Sequence, residues 1–498
     1  KFVYDLLITG GKVYDGTGNP WFYADIGIKN NEIVAIGKLR SEKAKRTIDA
    51  SGRYVLPGMI DLHTHADEGS ERETGLRSDD ARRRAAPNIV AQGVTTVVIN
   101  QDGRSAWPIK EQLETIRSKG IGPNAIALFG HGEVRRQVLE DDFRRPATAE
   151  EIKAMQDLAR QAMREGAFGM SAGLEYVPGR WSTTDEVVNL TRVVAEVGGI
   201  YGSHERSEGP DPMWFWPSQD SAGPPTLLDA VMETIEIGER SGAPVVCTHI
   251  KAKGAHFWGA GHAAIQLIQR ARDRGVEVWA DQYPYNTSGS DGNTRLIPFW
   301  AYGLETRFLG NSDERRTIDF ARELRAQLQD KSIADKIRQD IAHEIRRRCG
   351  AENVVVFDYP DSSFIGKSIA ELAVEHGISP VEMALTLQFE GDAERMGGAR
   401  LRGFSMSEVD VEAYAAQPWT ITASDGGIAL PEDGPVHARF YGTFPRKIRR
   451  YAIERGIISV EDAIRSMTSL PAQVLGLRDR GMLRESFRAD LAIIDLEN

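Results

Sequence analysis

The chain has 498 residues, a formal net charge of −11 and two cysteines, Cys247 and Cys349. That length exceeds one small core and fits a large domain with a smaller accessory one. The acidic balance argues against nucleic acid and anionic membrane as general partners and equally fits plain surface solubility, the cysteine count excludes a disulfide framework, and no apolar run is long enough for membrane insertion.

The sequence begins at Lys1 and enters a strand pattern almost at once. A removed signal peptide would leave no trace, so a soluble protein in the cytoplasm, the periplasm or the medium is expected, with the compartment open. Residues 4–9, 10–14, 24–28 and 32–36 read as short strands separated by turns, the pattern of a small β-sandwich. Residues 481–483 and 489–495 resume that style. Residues 1–56 and 478–498 are therefore expected to form one β domain from both chain ends.

Residues 57–477 alternate strand and helix patterns. Strands are predicted over 59–65, 95–100, 124–130, 168–174, 200–205, 244–250, 277–283 and 419–425. Stretches such as 149–165, 184–197, 226–240 and 261–274 carry helical apolar spacing with charged faces. This is the α/β pattern of a (β/α)8, TIM-like barrel. The interval between the seventh and eighth strands is too long for one connection. Residues from about 287 to 415 are therefore expected to include an inserted, mainly helical subdomain, strongly charged from Asp313 to Arg348.

In such barrels the chemistry sits at the C-terminal strand ends. The first predicted strand ends in Asp61-Leu62-His63-Thr64-His65. Residues two apart in a strand face the same way, so both imidazoles can reach one ion, although His-x-His alone also describes two hydrogen-bonded strand residues. The second strand ends in Asn100-Gln101-Asp102, the third at His131 and the fifth in His204-Glu205-Arg206. His249 and Lys251 end the sixth, Tyr283 the seventh and Asp425 the eighth. Five histidines and three carboxylates on one rim match a hydrolase holding one or two zinc ions. Cys247, two residues before His249, is expected to pack in the core. No phosphate loop or dinucleotide fingerprint is present, so no organic cofactor is implied.

Further stretches carry a family likeness: Asp15-Gly16-Thr17-Gly18, Pro57-Gly58-Met59-Ile60-Asp61-Leu62-His63-Thr64-His65, Gly93-Val94-Thr95-Thr96-Val97-Val98 and Gly130-His131-Gly132. Ser171-Ala172-Gly173-Leu174-Glu175-Tyr176, Ser203-His204-Glu205-Arg206 and Asp281-Gln282-Tyr283-Pro284-Tyr285 continue it. Ser424-Asp425-Gly426-Gly427, His437-Ala438-Arg439, Gly442-Thr443-Phe444-Pro445-Arg446 and Met467-Thr468-Ser469-Leu470-Pro471-Ala472 complete it. Over nearly its whole length the chain resembles the D-aminoacylase group, the N-acyl-D-amino-acid deacylases of the amidohydrolase superfamily. The resemblance implies one metal site from His63, His65 and Asp425, and a second from His204, His249 and a ligand ending the second strand. Where the family usually has cysteine, this chain has Asp102. A carboxylate binds and can bridge zinc but is a harder ligand than thiolate, so Mn2+ or Co2+ are further candidates beside Zn2+; alternatively Asp102 stands behind the ligands. The fourth strand end, residues 171–175, has no lysine, which counts against a carbamylated-lysine centre of the hydantoinase type.

The resemblance implies hydrolysis of the amide in an N-acyl amino acid, most simply of D configuration. Asp425 would act as general base and His131 would aid the oxyanion, while Lys251, Tyr283 and Arg439 would hold the substrate carboxylate. The alternatives are a dipeptidase or cyclic-amide hydrolase with the same metal logic, or a non-catalytic barrel that binds a ligand. The small-molecule partner is thus an N-acyl amino acid or a dipeptide-like compound, and a homo-oligomer is compatible with the sequence. After His204 the chain runs through Met213-Trp214-Phe215-Trp216-Pro217. These aromatics either pack on the rim or in a subunit interface, or form a lid in which Trp214 and Trp216 bind a bulky apolar substrate group. Trp107 and Trp258 would extend that wall.

Overall fold

The computed structural model describes residues 3–68, 74–288, 294–303 and 318–497. Its first strands are β1 (Tyr4–Val13), β2 (Phe22–Lys29), β3 (Glu32–Gly37), β4 (Ala44–Asp49) and β5 (Tyr54–Pro57). The barrel contributes β6 (Met59–Asp61), β7 (Val94–Ile99), β8 (Asn124–Ala127), β9 (Phe129–Gly130), β10 (Gly169–Gly173), β11 (Ile200–His204), β12 (Val245–Cys247) and β13 (Val278–Gln282). After β14 (Val354–Asp358) and β15 (Arg400–Gly403) the barrel resumes with β16 (Thr420–Thr422), and β17 (Leu491–Ile494) lies near the end of the chain.

Residues 4–9 and 10–14, expected as two strands, form one. β1 runs through both, with a register shift against β2 between Ile8 and Gly11. Gly10 has φ +73°, a left-handed conformation that costs glycine nothing and suits a bulge. At that irregularity β1 changes neighbour: β4 lies beside residues 4–9 and β5 beside Lys12 and Val13. Neither β4 nor β5 was legible in the alternation. β17 pairs antiparallel with β5, so both ends of the chain share one six-stranded sheet. Its apolar cluster joins Ile8, Val13, Ile26, Ile33 and Val55 to Leu483. Residues 481–483 form no strand; Leu483 enters that cluster from a turn, its N–H donating to the Asp15 carbonyl at 3.0 Å.

Each predicted barrel strand is present. The third is broken at Leu128 into β8 and β9, which belong to different parallel ladders, β6-β7-β8 and β16-β13-β12-β11-β10-β9. A parallel bridge between Thr64 and Gly426 joins the other ends of the ladders, and Asp425 N–H donates to the His63 carbonyl at 2.9 Å. The ring therefore closes as a (β/α)8 barrel, with the first and eighth strand ends side by side. Strand residues are buried almost throughout and Cys247 is fully buried, as a parallel sheet covered by helices requires. The surrounding helices start at capping boxes where their sequences allow, as at Thr148 with Glu151 and Thr226 with Asp229.

Between β13 and β16 lie the Phe320–Gln327, Lys331–Arg347, Ile369–His376 and Pro380–Glu390 helices and the antiparallel pair β14–β15. They share a separate buried apolar cluster that includes Leu324, Ile337, Ile341, Val354, Leu372 and Leu387. Residues 313–317 of the charged stretch lie outside the described residues. Among the described residues, no helix is long and apolar enough to cross a membrane.

Lys447 is 2 % exposed, and its amine donates to the Ala415 carbonyl at 3.4 Å. Burial, with no ion pair to it among the described residues, pushes its amine down to about 7 from 10.5. Holding the protonated unfolded-state form in that site costs roughly 5 kcal/mol below pH 7. The penalty fades as pH rises from 7 toward 10.5, where the amine is neutral in both states. Lys447→Met is expected to raise the thermal midpoint by several degrees at pH 6, with the gain shrinking steadily toward pH 10. An equal gain at both pH values, or a loss at pH 6, would refute the buried-cation cost.

Candidate metal centre

β6 ends at Asp61, so His63 and His65 lie in the bend beyond the strand rather than within it. Thr64, between them, donates through Oγ1 to the Val98 carbonyl at 2.8 Å. The imidazoles converge nonetheless, with ring centroids 5.5 Å apart. Buried Asp61 accepts the N–H of Ser424 at 2.9 Å and of His63 at 3.3 Å, tying the first strand end to the eighth. Burial pushes its carboxyl up to about 7 despite those bonds.

Asn100, Asp102, His249 and Asp425 all have positive φ, at +66°, +58°, +36° and +49°. Such conformations cost of order 1–3 kcal/mol in non-glycine residues and collect at functional sites. Local bonds hold them in place. Asn100 Nδ2 donates to Gln112 Oε1 and the Leu128 carbonyl, each at 2.8 Å. Gln101 Nε2 donates to the Leu62 carbonyl at 2.9 Å. A Cβ on Gly173 would lie 2.3 Å from the Asp102 carbonyl oxygen, so only glycine at the end of β10 lets the Asp102 turn come this close.

Asp102 lies between two pairs of histidines. Its Oδ1 is 3.5 Å from His63 Nε2, 3.6 Å from His249 Nε2 and 3.9 Å from His204 Nδ1. Its Oδ2 is 3.6 Å from His65 Nε2. Asp425 Oδ1 approaches His65 Nε2 at 2.8 Å and His63 Nε2 at 3.2 Å. Donor atoms of His63, Asp102, His249 and Asp425 all fall within 4.8 Å of one another, and those of His204, Glu208 and His249 form a second such group. Among the described residues, both ring nitrogens of His63 and Oδ1 of Asp102 are buried without a hydrogen-bond partner. Buried polar atoms left so are rare and call for an ion or water. The nitrogen and carboxylate donors suit zinc, manganese or cobalt.

The field keeps the carboxylates ionised and draws positive charge to His63. Burial pushes the Asp102 carboxyl up, but His249, His63 and His204 hold it well below the usual carboxylate range. Burial likewise opposes Asp425, and the Arg439 guanidinium with His249 and His63 outweighs it. His63 is raised to about 10, because Asp281 and Asp425 overcome its burial.

Lys251, Tyr283 and Arg439 also come together. Both cations lie over the Tyr283 ring, Lys251 Nζ 5.5 Å and the Arg439 guanidinium 4.7 Å from its centroid. Lys251 is paired with Glu208 and lies 2.9 Å from His249 Nδ1. Arg439 donates to Asp425 Oδ2 at 2.6 Å.

A family model described as the amidohydrolase family matches residues 46–192 and 315–498. A D-aminoacylase of Alcaligenes xylosoxydans xylosoxydans is 31% identical over 515 residues, covering 99% of this chain and 88% of that protein. An N-acyl-D-glutamate deacylase from the same organism gives the same identity and coverage. The chain belongs to the amidohydrolase family. Among solved structures, the N-acyl-D-glutamate deacylase of Bordetella bronchiseptica, complexed with zinc and a phosphonate inhibitor, superposes with TM-score 0.73 at 28% identity. That match covers 99% of this chain and 90% of the other. A D-aminoacylase with a binuclear metal centre superposes with TM-score 0.71 at 28% identity.

Around this amidohydrolase centre stand carboxylates that sequence reasoning did not single out. Glu175, just past β10, accepts from His204 Nε2 at 2.8 Å. Glu68 pairs with His65 Nδ1. Asp281 Oδ1 accepts the His249 N–H at 2.6 Å, and its Oδ2 lies 3.6 Å from His63 Nδ1. Glu208 bridges Lys251 and Lys253 and lies 3.2 Å from His249 Nδ1. The sequence signals for Glu175 were its place at a strand end and in the family-like stretch 171–176. Glu68 and Glu208 sit three and four residues beyond a histidine, in loops without periodicity.

His131 does not join the cluster. The chain enters the His131–Leu139 helix directly after β9, and the buried imidazole bonds Glu186 Oε1 through Nε2 at 2.9 Å. Arg135 pairs with the same carboxylate. A place for His131 at a reacting oxygen therefore finds no support in these contacts. Trp214 and Trp216 are half-buried in a loop packed against the inserted Lys331–Arg347 helix. Phe215 meets His343 edge-on at 5.6 Å, Ser218 bonds Asp340 through N at 3.1 Å and Oγ at 2.6 Å, and Arg180 lies 5.2 Å over the Trp214 ring. Trp258 is 44% exposed, its Nε1 donating to the Ser405 carbonyl, while Trp107 packs against the barrel core.

Proposed function

We propose that the protein hydrolyses the amide of N-acyl-D-amino acids. The observation that carries this is the convergence of His63, Asp102, His249 and Asp425 donors on one point, with Arg439 on the far oxygen of Asp425. His63, His65, Asp102, His204, His249 and Asp425 would hold one or two divalent ions. Such an ion would supply an acidified water and Lewis-acid polarisation of a carbonyl. Asp425 would take a proton at Oδ1 from the attacking water and return it to the leaving nitrogen, as a general base and then acid. Arg439, bonded to Oδ2, would keep that carboxylate ionised and aimed. Lys251 and Arg439, both beside the Tyr283 ring, would attract the free carboxylate of a linear substrate, a group that cyclic amides lack.

The test combines metal analysis of the purified protein with turnover of N-acetyl-D- and N-acetyl-L-amino acids, dipeptides and cyclic amides. Bound divalent metal and preferential release of D-amino acids are expected. No turnover with zinc, manganese or cobalt supplied, or preference for dipeptides or cyclic amides, would overturn the reading.

The Trp214–Trp216 loop would form an apolar wall for the substrate. Replacing both tryptophans with Ala is expected to raise KM for bulky N-acyl-D-amino acids far more than for N-acetyl-D-alanine. Equal effects on both substrates, or none, would leave these aromatics a packing role on the inserted helix.

A further inference from the structure

His204 presents two different ring nitrogens. Nδ1 faces the donor cluster, 2.8 Å from His249 Nε2 and 3.9 Å from Asp102 Oδ1. Nε2 is held by Glu175 Oε2 at 2.8 Å. A proton shared with Glu175 on Nε2 leaves the lone pair on Nδ1, the form in which imidazole binds a metal. Glu175 therefore sets both the tautomer and the ring orientation of His204.

Glu175 is itself held in place from outside the barrel. Glu175 is 3 % exposed, and its Oε1 accepts the backbone N–H of Met213 at 2.6 Å. Arg347, in the last turn of the inserted Lys331–Arg347 helix, brings NH2 to 3.7 Å from that oxygen. The same guanidinium reaches Asp211 Oδ1 at 3.2 Å through Nε and Glu344 Oε2 at 3.2 Å through NH1. Among the described residues, Arg347 thus lies within ion-pair range, without a hydrogen bond from Nε or Nη2, of the carboxylate behind His204 and of Asp211 in the loop that carries Trp214 and Trp216. Arg348, the next residue, is also buried, yet it bonds Glu344 at 2.7 Å and Ser288 at 3.3 Å and does not touch Glu175.

We propose that Arg347 is a positioning residue that couples the inserted segment to the metal centre, fixing Glu175 so that Glu175 can orient His204. A guanidinium suits this task because its planar fork meets several carboxylates at once, which a lysine ammonium at the end of a single stem cannot. Without that charge, Glu175, Asp211 and Glu344 remain as buried carboxylates sharing fewer cations. Glu175 is then free to shift, and the His204 ring with it. The inference rests on the proposed role of His204 as a metal ligand.

The experiment loads the full-length protein with zinc and measures its transfer to a competing chelator, together with KM and kcat for an N-acetyl-D-amino acid. Glu175→Gln is expected to speed zinc loss by about 10- to 100-fold, the usual effect of removing a partner behind a metal-bound histidine. Arg347→Met is expected to speed it in the same direction, and the double variant to release zinc no faster than Glu175→Gln alone. Arg348→Met, which removes a neighbouring buried cation, is expected to release zinc at the wild-type rate. Arg347→Lys keeps the charge and so guards against a failure to fold; an intermediate rate is expected from it. Wild-type zinc release from Arg347→Met or Arg347→Lys, additive effects with Glu175→Gln, or equal acceleration by Arg348→Met would each overturn the inference while leaving the metal centre standing. A wild-type protein that retains no divalent metal would overturn the metal-centre reading itself, and this inference with it.

Discussion

Asp425→Asn is expected to lower turnover of an N-acyl-D-amino acid by about 10²- to 10⁴-fold, the range for loss of a positioned general base. The amide has the same volume, so the circular dichroism spectrum should match that of the native protein. What changes is chemistry. The amide cannot accept a proton as the carboxylate does, and its nitrogen cannot serve as an acceptor for Arg439, which now bonds Oδ2 at 2.6 Å. The arrangement around Asp425 fits that role: its backbone holds a left-handed conformation at φ +49°, of the strained kind that collects at functional sites. Asp425 Oδ1 also lies beside His63 and His65, so part of the loss could come from weakened metal binding. Metal content measured alongside kcat separates the two. A variant with normal metal and most of its activity would remove Asp425 from the base role.

Asp102→Ala is expected to have the second large effect, on metal retention. Asp102 reaches toward His63, His204 and His249 through one oxygen and toward His65 through the other. Its loss should weaken binding by more than the roughly 10- to 100-fold cost of disturbing a group that only supports a ligand. It also removes the negative charge that offsets these buried imidazoles. Asp102→Cys, which introduces the residue the family likeness leads one to expect, should hold zinc again and shift preference away from manganese, because thiolate is the softer ligand. The readout is metal per chain after dialysis against each ion in turn. Unchanged stoichiometry in Asp102→Ala would place Asp102 behind the ligands.

These expectations draw unevenly on the sequence. The barrel was legible because each parallel strand is a short apolar run followed by a helix with its own spacing and caps, and both signals are local. The histidines at the strand ends were legible for the same reason, since a strand's end marks the mouth of the barrel wherever the rest of the chain goes. Even so, His63 and His65 converge from a bend rather than from alternation within a strand, a detail of how β6 meets β16. β4 and β5 escaped notice because their burial comes from lying along β1 after its Gly10 irregularity, which alternation within either segment does not encode.

Local pattern therefore determined the alternation of elements, the positions of the strand ends and the candidate donors carried there. Only the tertiary structure decided which of those donors meet. His131 stands at a strand end as His204 does, yet a helix begins at once and delivers it to Glu186. Glu208 and Arg347 carry no motif and Glu175 stands in a family-like stretch that names no role for it; the roles come from partners distant in sequence, as when Arg347 reaches Asp211 and Glu175. The physical reason is that a strand or helix is specified by neighbours along the chain. A buried charge is specified by whichever opposite charge folding brings within a few ångströms, because burying it unpaired costs several kcal/mol.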